Sequence, residues 1–287
     1  MRTVRTVSEL RAALRDGKTP VGLVPTMGAL HEGHLSLIEQ ASKDCGEVVV
    51  SVFVNPTQFN DSADLAAYPR DESHDAKLAR KAGATILFAP DVDEVYPPGF
   101  STSVQVSGPL TETLEAAQRG AGHFHGVTTV VTKLLNMVKP DIAYFGQKDA
   151  QQALIVRKLV ADLDLDIQIA VLPTVREADG LALSSRNQRL SATERERALA
   201  LIRGLEAARL AARSADDAGA VRAAAIAAMA EFDVAPEYVE LVNPDNFERV
   251  DQLNGSDVLV AVAAGVGDVR LIDNLLIPSS STKSKGS

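Results

Sequence analysis

At 287 residues, 46% hydrophobic and 23% charged, the chain is long enough for one large globular domain or two smaller ones. Its formal net charge of −9 argues against a general binder of nucleic acid or anionic membrane, while leaving room for a local basic pocket that holds a nucleotide. The single Cys45 excludes an internal disulfide and fits a reducing cytosol; no apolar run approaches a membrane span, and Met1–Arg5 lacks a signal peptide's apolar core, so a cytoplasmic protein is expected.

Thr6-Val7-Ser8-Glu9 has the spacing of a capping box and opens a helix towards Asp16, which Gly17 ends. Val21–Val24 is short and apolar, as a buried parallel strand is. It runs into Pro25–His34 (PTMGALHEGH), read as a tight glycine turn and the start of a helix reaching about Cys45. Gly28 and Gly33 let a ligand approach the backbone, and the N-terminus of the following helix offers N–H groups and a positive dipole end to a phosphate. His31 and His34 share one helical face and can donate hydrogen bonds to charge developing on phosphorus. As an isolated pair they would be a turn residue and an ordinary first-turn residue. Their spacing is not the His-Glu-x-x-His of zinc proteases, which argues against zinc.

Glu47–Val54 is a β-branched run with the character of a central strand, ending in the polar turn Asn55–Phe59. Ligands of open parallel sheets sit at the carboxyl ends of strands, so this turn and the histidine turn are expected to line one crevice. A helix near Glu72–Lys81, a strand at Ala84–Phe88, a loop over Asp91–Gly99 and a short helix at Leu110–Ala117 follow. Arg119–Gly126 reads as a glycine-rich turn before a long helix striped with Val127, Val130, Val131, Leu134, Leu135 and Val138. The strand Asp141–Phe145 ends in Gly146–Asp149, and a helix opening with Gln151 and Gln152 leads to a strand at Asp166–Val171. The alternation of strand and helix predicts an α/β fold, a doubly wound, Rossmann-like parallel sheet over residues 1–174.

Beyond Val175 the pattern changes. Arg176–Asn187 is a polar turn, and Ser191-Ala192-Thr193-Glu194 is a second capping box. Ala-rich helices are expected near Thr193–Ser214 and Asp217–Phe232, then short strands near Tyr238–Val242, Asp257–Ala264 and Val269–Asn274. Residues 175–277 therefore read as a smaller α+β domain, and the Ser/Lys/Gly-rich 278–287 as a disordered tail.

Met27–His34 (MGALHEGH), Val54–Phe59 (VNPTQF), Phe145–Gln152 (FGQKDAQQ) and Asp179–Asn187 (DGLALSSRN), in this order, resemble the pantothenate synthetases, the pantoate–β-alanine ligases of the HIGH-type nucleotidyltransferase superfamily. The resemblance spans residue 1 to about 275. It implies that pantoate, activated by ATP as pantoyl adenylate, is joined to β-alanine with release of AMP and pyrophosphate. Activation is a chemical necessity, because a carboxylate has no usable leaving group at neutral pH. No nucleophilic side chain is required, which fits catalysis by positioning and electrostatics. The resemblance also implies ATP as substrate with Mg2+, no tightly bound organic cofactor, no nucleic-acid or membrane partner, and a homodimer formed through the N-terminal domain.

Carried over residue by residue, the resemblance makes Met27, Gly28, Ala29, Leu30, His31, Glu32, Gly33 and His34 the first ATP segment. Gly146, Gln147, Lys148 and Asp149 are the second, and Leu183, Ser184, Ser185 and Arg186 the third, with Ser184, Ser185 and Arg186 clamping the polyphosphate from the second domain; Val175 is a further contact, through its backbone to adenine. His31, His34 and Lys148 are the implied catalytic residues, with His34 matching the family's proton donor. Gln58 matches the contact to pantoate and β-alanine, and Gln152 the second pantoate amide; neighbouring Gln151 points about 100° away on a helix. Many relatives have glutamate at the Gln147 position. Asp75 and Asp149 are candidate magnesium ligands, with an exposed helix acid and a helix cap as their plain alternatives. Two other classes compete: an adenylyltransferase acting on a phosphorylated substrate, which would want more Arg or Lys where Gln58 and Gln152 stand, and a nucleotide-binding protein without chemistry, which would not need the whole set.

Overall fold

Short apolar runs separated by amphipathic helices build the first half of the chain. The computed structural model describes residues 1–15, 17–59 and 62–279; Asp16, where the first helix was expected to end, and the expected tail from Ser280 on lie outside the described residues. Two compact units are formed: Met1–Gln147 with Gln151–Pro173, and Thr174 onward with Lys148–Ala150.

In the first unit β1 (Arg2–Val4), α1 (Val7–Leu14), β2 (Val21–Thr26), α2 (Glu32–Asp44) and β3 (Glu47–Val52) come first. There follow α3 (Ser62–Ala67), α4 (Glu72–Lys81), β4 (Ile86–Phe88), α5 (Val92–Val95), α6 (Glu115–Arg119) and α7 (Ala121–Val138), then β5 (Ile142–Gly146), α8 (Ala150–Asp162) and β6 (Gln168–Leu172). The six strands form one parallel sheet in the order β1-β4-β3-β2-β5-β6. The chain moves outward from β2 through β3 to β4 and returns to place β5 on the other side of β2. The order therefore reverses between β2 and β5, and ligand crevices form at such a switch point. One core layer packs Val24, Leu35, Ile38, Val48, Val50, Leu87 and Tyr144 between sheet and helices. Cys45 is a filler there: a Cβ on Gly22 would stand 2.9 Å from its Sγ, and burial pushes its thiol pKa up.

Two expectations need correction in this unit, and one strand was not expected. Arg2–Val4 is a strand, pairing with Ile86–Phe88. The loop Asp91–Gly99 contains the helical turn α5. The glycine-rich stretch before the long helix is itself helical from Ala121. Its Gly126 is required by contact: a Cβ there would lie 2.5 Å from the Thr57 carbonyl oxygen and 2.8 Å from Gln58 N.

The second unit carries α9 (Ala192–Ala198), α10 (Ala200–Ala211) and α11 (Ala218–Ala230), then β7 (Pro236–Val242), β8 (Val258–Val266) and β9 (Val269–Ile277) in an antiparallel meander. The expected first Ala-rich helix is two helices, broken where Leu199 N–H turns back to Glu196 O. Both capping boxes form, at Thr6–Glu9 and Ser191–Glu194. Leu201, Leu205, Val221, Met229, Leu241 and Val260 form the core of this unit. There α10 meets α11 so closely that a Cβ on Gly204 would be 2.7 Å from Met229 Cγ.

Candidate active site

The histidine turn leaves β2 at the switch point. Thr26 Oγ1 donates to Ser51 O (2.7 Å) and accepts from Gly28 N (3.1 Å), tying the turn's first residues to β3. Gly28 has φ +83° and Ala29 φ +50°, so the chain doubles back sharply. That shape brings two N–H groups onto one carboxylate: Asp75, 2% exposed on α4, accepts from Ala29 N (2.9 Å) and Leu30 N (2.8 Å). A Cβ on Gly28 would lie 2.9 Å from the same carboxylate.

His31 is the N-cap of α2. Its Nδ1 accepts from Gly33 N (3.2 Å), while His34 Nδ1 accepts from His31 N (3.4 Å). A neutral ring whose Nδ1 accepts from a backbone N–H carries its proton on Nε2, so the network assigns the Nε2–H tautomer to both. The rings lie 4.1 Å apart between centroids, tilted by 33°. The backbone N–H groups of Gly28, Ala29, Leu30, His31 and Gly33 thus each have a partner, those of Ala29 and Leu30 on Asp75 of α4. Beside the expected backbone phosphate seat, the turn presents imidazole N–H edges oriented by the backbone.

Asn55, 1% exposed, organises the next turn. Its Oδ1 accepts from Thr57 N (3.3 Å), Thr57 Oγ1 (2.9 Å) and Tyr96 Oη (2.9 Å). Its Nδ2 donates to Gly126 O (3.1 Å) and to Gln58 Oε1 (3.1 Å). The Gln58 oxygen is thereby held and its amide N–H2 turned away from Asn55, against Met27 Sδ. Two motif residues 31 positions apart in sequence, Met27 and Gln58, therefore meet within the first unit. Asn55 carries this arrangement and was not singled out from the sequence; its place two residues before Thr57, an Asx-turn spacing, was the available signal.

On α8 the two glutamines diverge. Gln151, 4% exposed, donates to Leu110 O (2.7 Å) and Thr113 O (2.8 Å) and accepts from Glu115 N (3.0 Å), pinning the segment before α6. Gln152 is half-buried and makes no side-chain hydrogen bond among the described residues. Val127, Val130 and Val131 are buried core.

Gln147–Asp149 is a 3-10 turn following Gly146, and its Lys148 and Asp149 belong to the second unit. Lys148 is half-buried and Asp149 exposed. Val175 and Leu183 face each other across a short hairpin: Leu183 N donates to Val175 O (3.0 Å), Arg176 bridges Ala182, and Gly180 turns the tip with φ +96°. Arg176 forms a two-armed ion pair with Asp273 (2.6 and 3.0 Å) and also donates to Gly180 O. Ser184 then caps the 3-10 turn Ser185–Arg189 by accepting from Arg186 N (3.2 Å). Asn187 ties that turn back to Glu177 and Ala182 O. Arg195 holds Glu177 and Asp179 together, at 2.6 Å each.

Comparison with known proteins adds to this geometry. A family model described as pantoate-beta-alanine ligase matches residues 1–276. The chain is 53% identical to a pantothenate synthetase of Rhizorhabdus wittichii over 281 residues, 96% of this chain and 99% of the relative. To that of Acetivibrio thermocellus it is 48% identical over 96% of this chain and 99% of the relative. A crystal structure of pantothenate synthetase from Thermus thermophilus superposes with a TM-score of 0.91 at 47% identity, covering 97% of this chain and 100% of the other. A pantoate-beta-alanine ligase from Francisella tularensis, complexed with beta-gamma ATP and beta-alanine, superposes at 0.77 with 32% identity, over 96% and 97%.

Proposed function

The chain belongs to the pantoate–β-alanine ligase family and catalyses the ATP-dependent ligation of pantoate to β-alanine, and we propose that its motif-bearing turns divide that work. In the first half-reaction a pantoate carboxylate oxygen attacks the α-phosphorus, and the bond from that phosphorus to the bridging oxygen breaks as pyrophosphate leaves. In the second the β-alanine amine attacks the acyl carbon and AMP departs.

The observation that carries our assignment is the pair of Nε2–H imidazoles held by backbone N–H groups at Nδ1. Oriented donors that need no rearrangement stabilise charge developing on phosphate oxygens. His31 and His34 take that role, with His34 the family's proton donor. Met27–His34, Gly146–Asp149, Val175 and Leu183–Arg186 are assigned to ATP, with Lys148 as a point charge on its phosphates. Gln58 offers its amide N–H2 to the pantoate carboxylate and later to β-alanine, and Gln152 offers a second amide to pantoate.

Magnesium is assigned to the phosphate oxygens and water, with the exposed Asp149 beside them, where it would neutralise phosphate charge. Among the described residues no group of three His, Cys, Asp or Glu side chains is arranged to hold a metal ion. Asp75 is assigned to the turn instead, because both its oxygens accept backbone N–H groups. No helix among the described residues is long and apolar enough to cross a membrane. A homodimer in the cytoplasm completes the proposal, supported by the family resemblance and, for the compartment, by the lone Cys45.

Single-turnover formation of pantoyl adenylate by Gln58→Ala tests the assignment of the subsites. The expected result is a pantoate KM raised about 10-fold or more with ATP affinity unchanged, as loss of a charge-assisted hydrogen bond predicts. A change in ATP affinity alone would put the amide in the wrong subsite.

A further inference from the structure

Apart from Arg270, which pairs with Glu237 (2.8 Å), β9 is apolar except at one step, where the polar residues are buried. Asp273 and Asn274 are adjacent, 3% and 5% exposed, and their cross-strand neighbours on β8 are Val262 and Ala261. Pairing within the sheet gives no reason for two polar residues here, and burying them is costly unless they are partnered. Successive strand residues send their side chains to opposite faces. Asp273 receives both arms of Arg176, at 2.6 and 3.0 Å, from the hairpin that joins Val175 to Leu183. Arg176 reaches on to Asn274 O (3.3 Å). Asn274 Nδ2 donates to the backbone oxygen of Lys148 (3.0 Å), 126 positions earlier in the chain. The Asn274 N–H donates to Asp273 Oδ1 (2.8 Å), closing the group.

We propose that Asp273 and Asn274 are positioning residues for the nucleotide, one strand step that holds the Lys148 turn on one side and the Val175–Leu183 hairpin on the other. The inference rests on the reading of both segments as ATP-binding. It explains why Lys148–Ala150 belong to the second compact unit although the residues before and after them belong to the first. A buried ion pair adds little net stability over apolar residues of the same size, but it admits few geometries. Such a device suits a hairpin that must stand at a fixed place, and the Asn274 hydrogen bond ties the backbone of Lys148 to the same strand step. Neither residue touches substrate; each acts through a neighbour.

The test is a double-mutant cycle on pantoyl-adenylate formation, read as pantoate-dependent ATP–pyrophosphate exchange in the full chain. Asn274→Asp keeps shape and replaces the donor with an oxygen facing the Lys148 carbonyl. It is expected to slow exchange about 10- to 100-fold, as small misplacements of a reacting group do, and to raise the KM for ATP. Amide formation from supplied pantoyl adenylate and β-alanine should be unchanged. In a Lys148→Ala background the same substitution should have no further effect, a result that a general loss of structure would not produce. An equal loss in both backgrounds, or no loss in either, would overturn the proposal. Should the aspartate unfold the chain, Asn274→Ala removes the donor without adding a repulsive oxygen and is read the same way. Wild-type exchange in Lys148→Ala alone would instead overturn the assignment of Lys148 itself, and this proposal with it.

Discussion

The His31–His34 turn and the Val175–Leu183 hairpin both have backbone held by side chains, but only the first uses backbone to aim side chains. In the first, backbone N–H groups fix side chains: Gly33 N and His31 N occupy the two Nδ1 atoms of the rings that we assign to the phosphates. In the second, side chains fix backbone: the guanidinium of Arg176, clamped by Asp273, grips the Gly180 carbonyl. The difference follows from what each must present. On the proposed assignment, imidazoles must be shown in one tautomer, whereas the hairpin must bring Val175 and Leu183–Arg186 to the nucleotide as one piece. The cost of error differs as well. A fault in the two imidazoles leaves the fold and changes the chemistry, while a fault in Arg176 strands a buried charge.

Arg176→Met breaks the comparison at its stability end. Removing one partner of a buried pair leaves Asp273 uncompensated, so unfolding free energy should fall by about 3–5 kcal/mol. Thermal or urea unfolding followed in the second unit measures it. A loss below about 1 kcal/mol, the range of exposed pairs, would mean that solvent already reaches the pair.

Asp75→Asn sharpens the other end. An amide can accept from only one of the two N–H groups at Ala29 and Leu30 and opposes the other with a donor. Stability should drop by about 1.5–3 kcal/mol, the range for hydrogen bonds to charged groups. Adenylate formation should slow while the pantoate KM holds, because Gln58 is anchored separately through Asn55. A raised pantoate KM with a normal rate would show that the carboxylate does not act through the histidine turn.

The smallest effect concerns a device that the two units share. Glu9 and Glu194 each close a capping box, and each carboxyl lies below its ordinary pKa of 4.5, chiefly because it accepts a backbone N–H, from Arg5 and Ser191 respectively. A lowered acid pKa gives stability that is complete above 4.5 and is lost as pH falls through the folded value. The difference in melting temperature between the wild type and Glu194→Gln should therefore be constant above that point and close in acid. A difference that persists at low pH would place the effect in packing instead.

Local chemistry made much of this fold legible. Thr6–Glu9 and Ser191–Glu194 announced helix starts because a capping box lies within four residues. The β-branched run at Glu47 and the apolar run at Val21 announced central strands because both of their faces are covered. Arg2–Val4 gave no such sign: two of its three residues are exposed, and only pairing with β4 makes it a strand. The glycines and histidines at 119–126 looked like a turn because propensity is a local quantity, while the demand for Gly126 comes from backbone at Thr57. Of the candidate site, the sequence exposed the turns and the residue types on them. It could not expose what holds them. Asp75 reaches N–H groups 45 and 46 residues away, and Asn274 reaches a carbonyl 126 residues away. Such contacts have no signature in spacing or composition.

The central claim is that the histidine turn and the amide of Gln58 together make pantoyl adenylate before β-alanine takes part. Pantoate-dependent exchange of label between pyrophosphate and ATP, with β-alanine absent, tests it most directly. The account predicts exchange that requires pantoate and falls about 10²- to 10³-fold in His34→Ala, the usual cost of losing one oriented donor to transition-state charge. Folded protein that binds ATP and pantoate yet shows no exchange until β-alanine is added, or exchange that ignores pantoate, would contradict it.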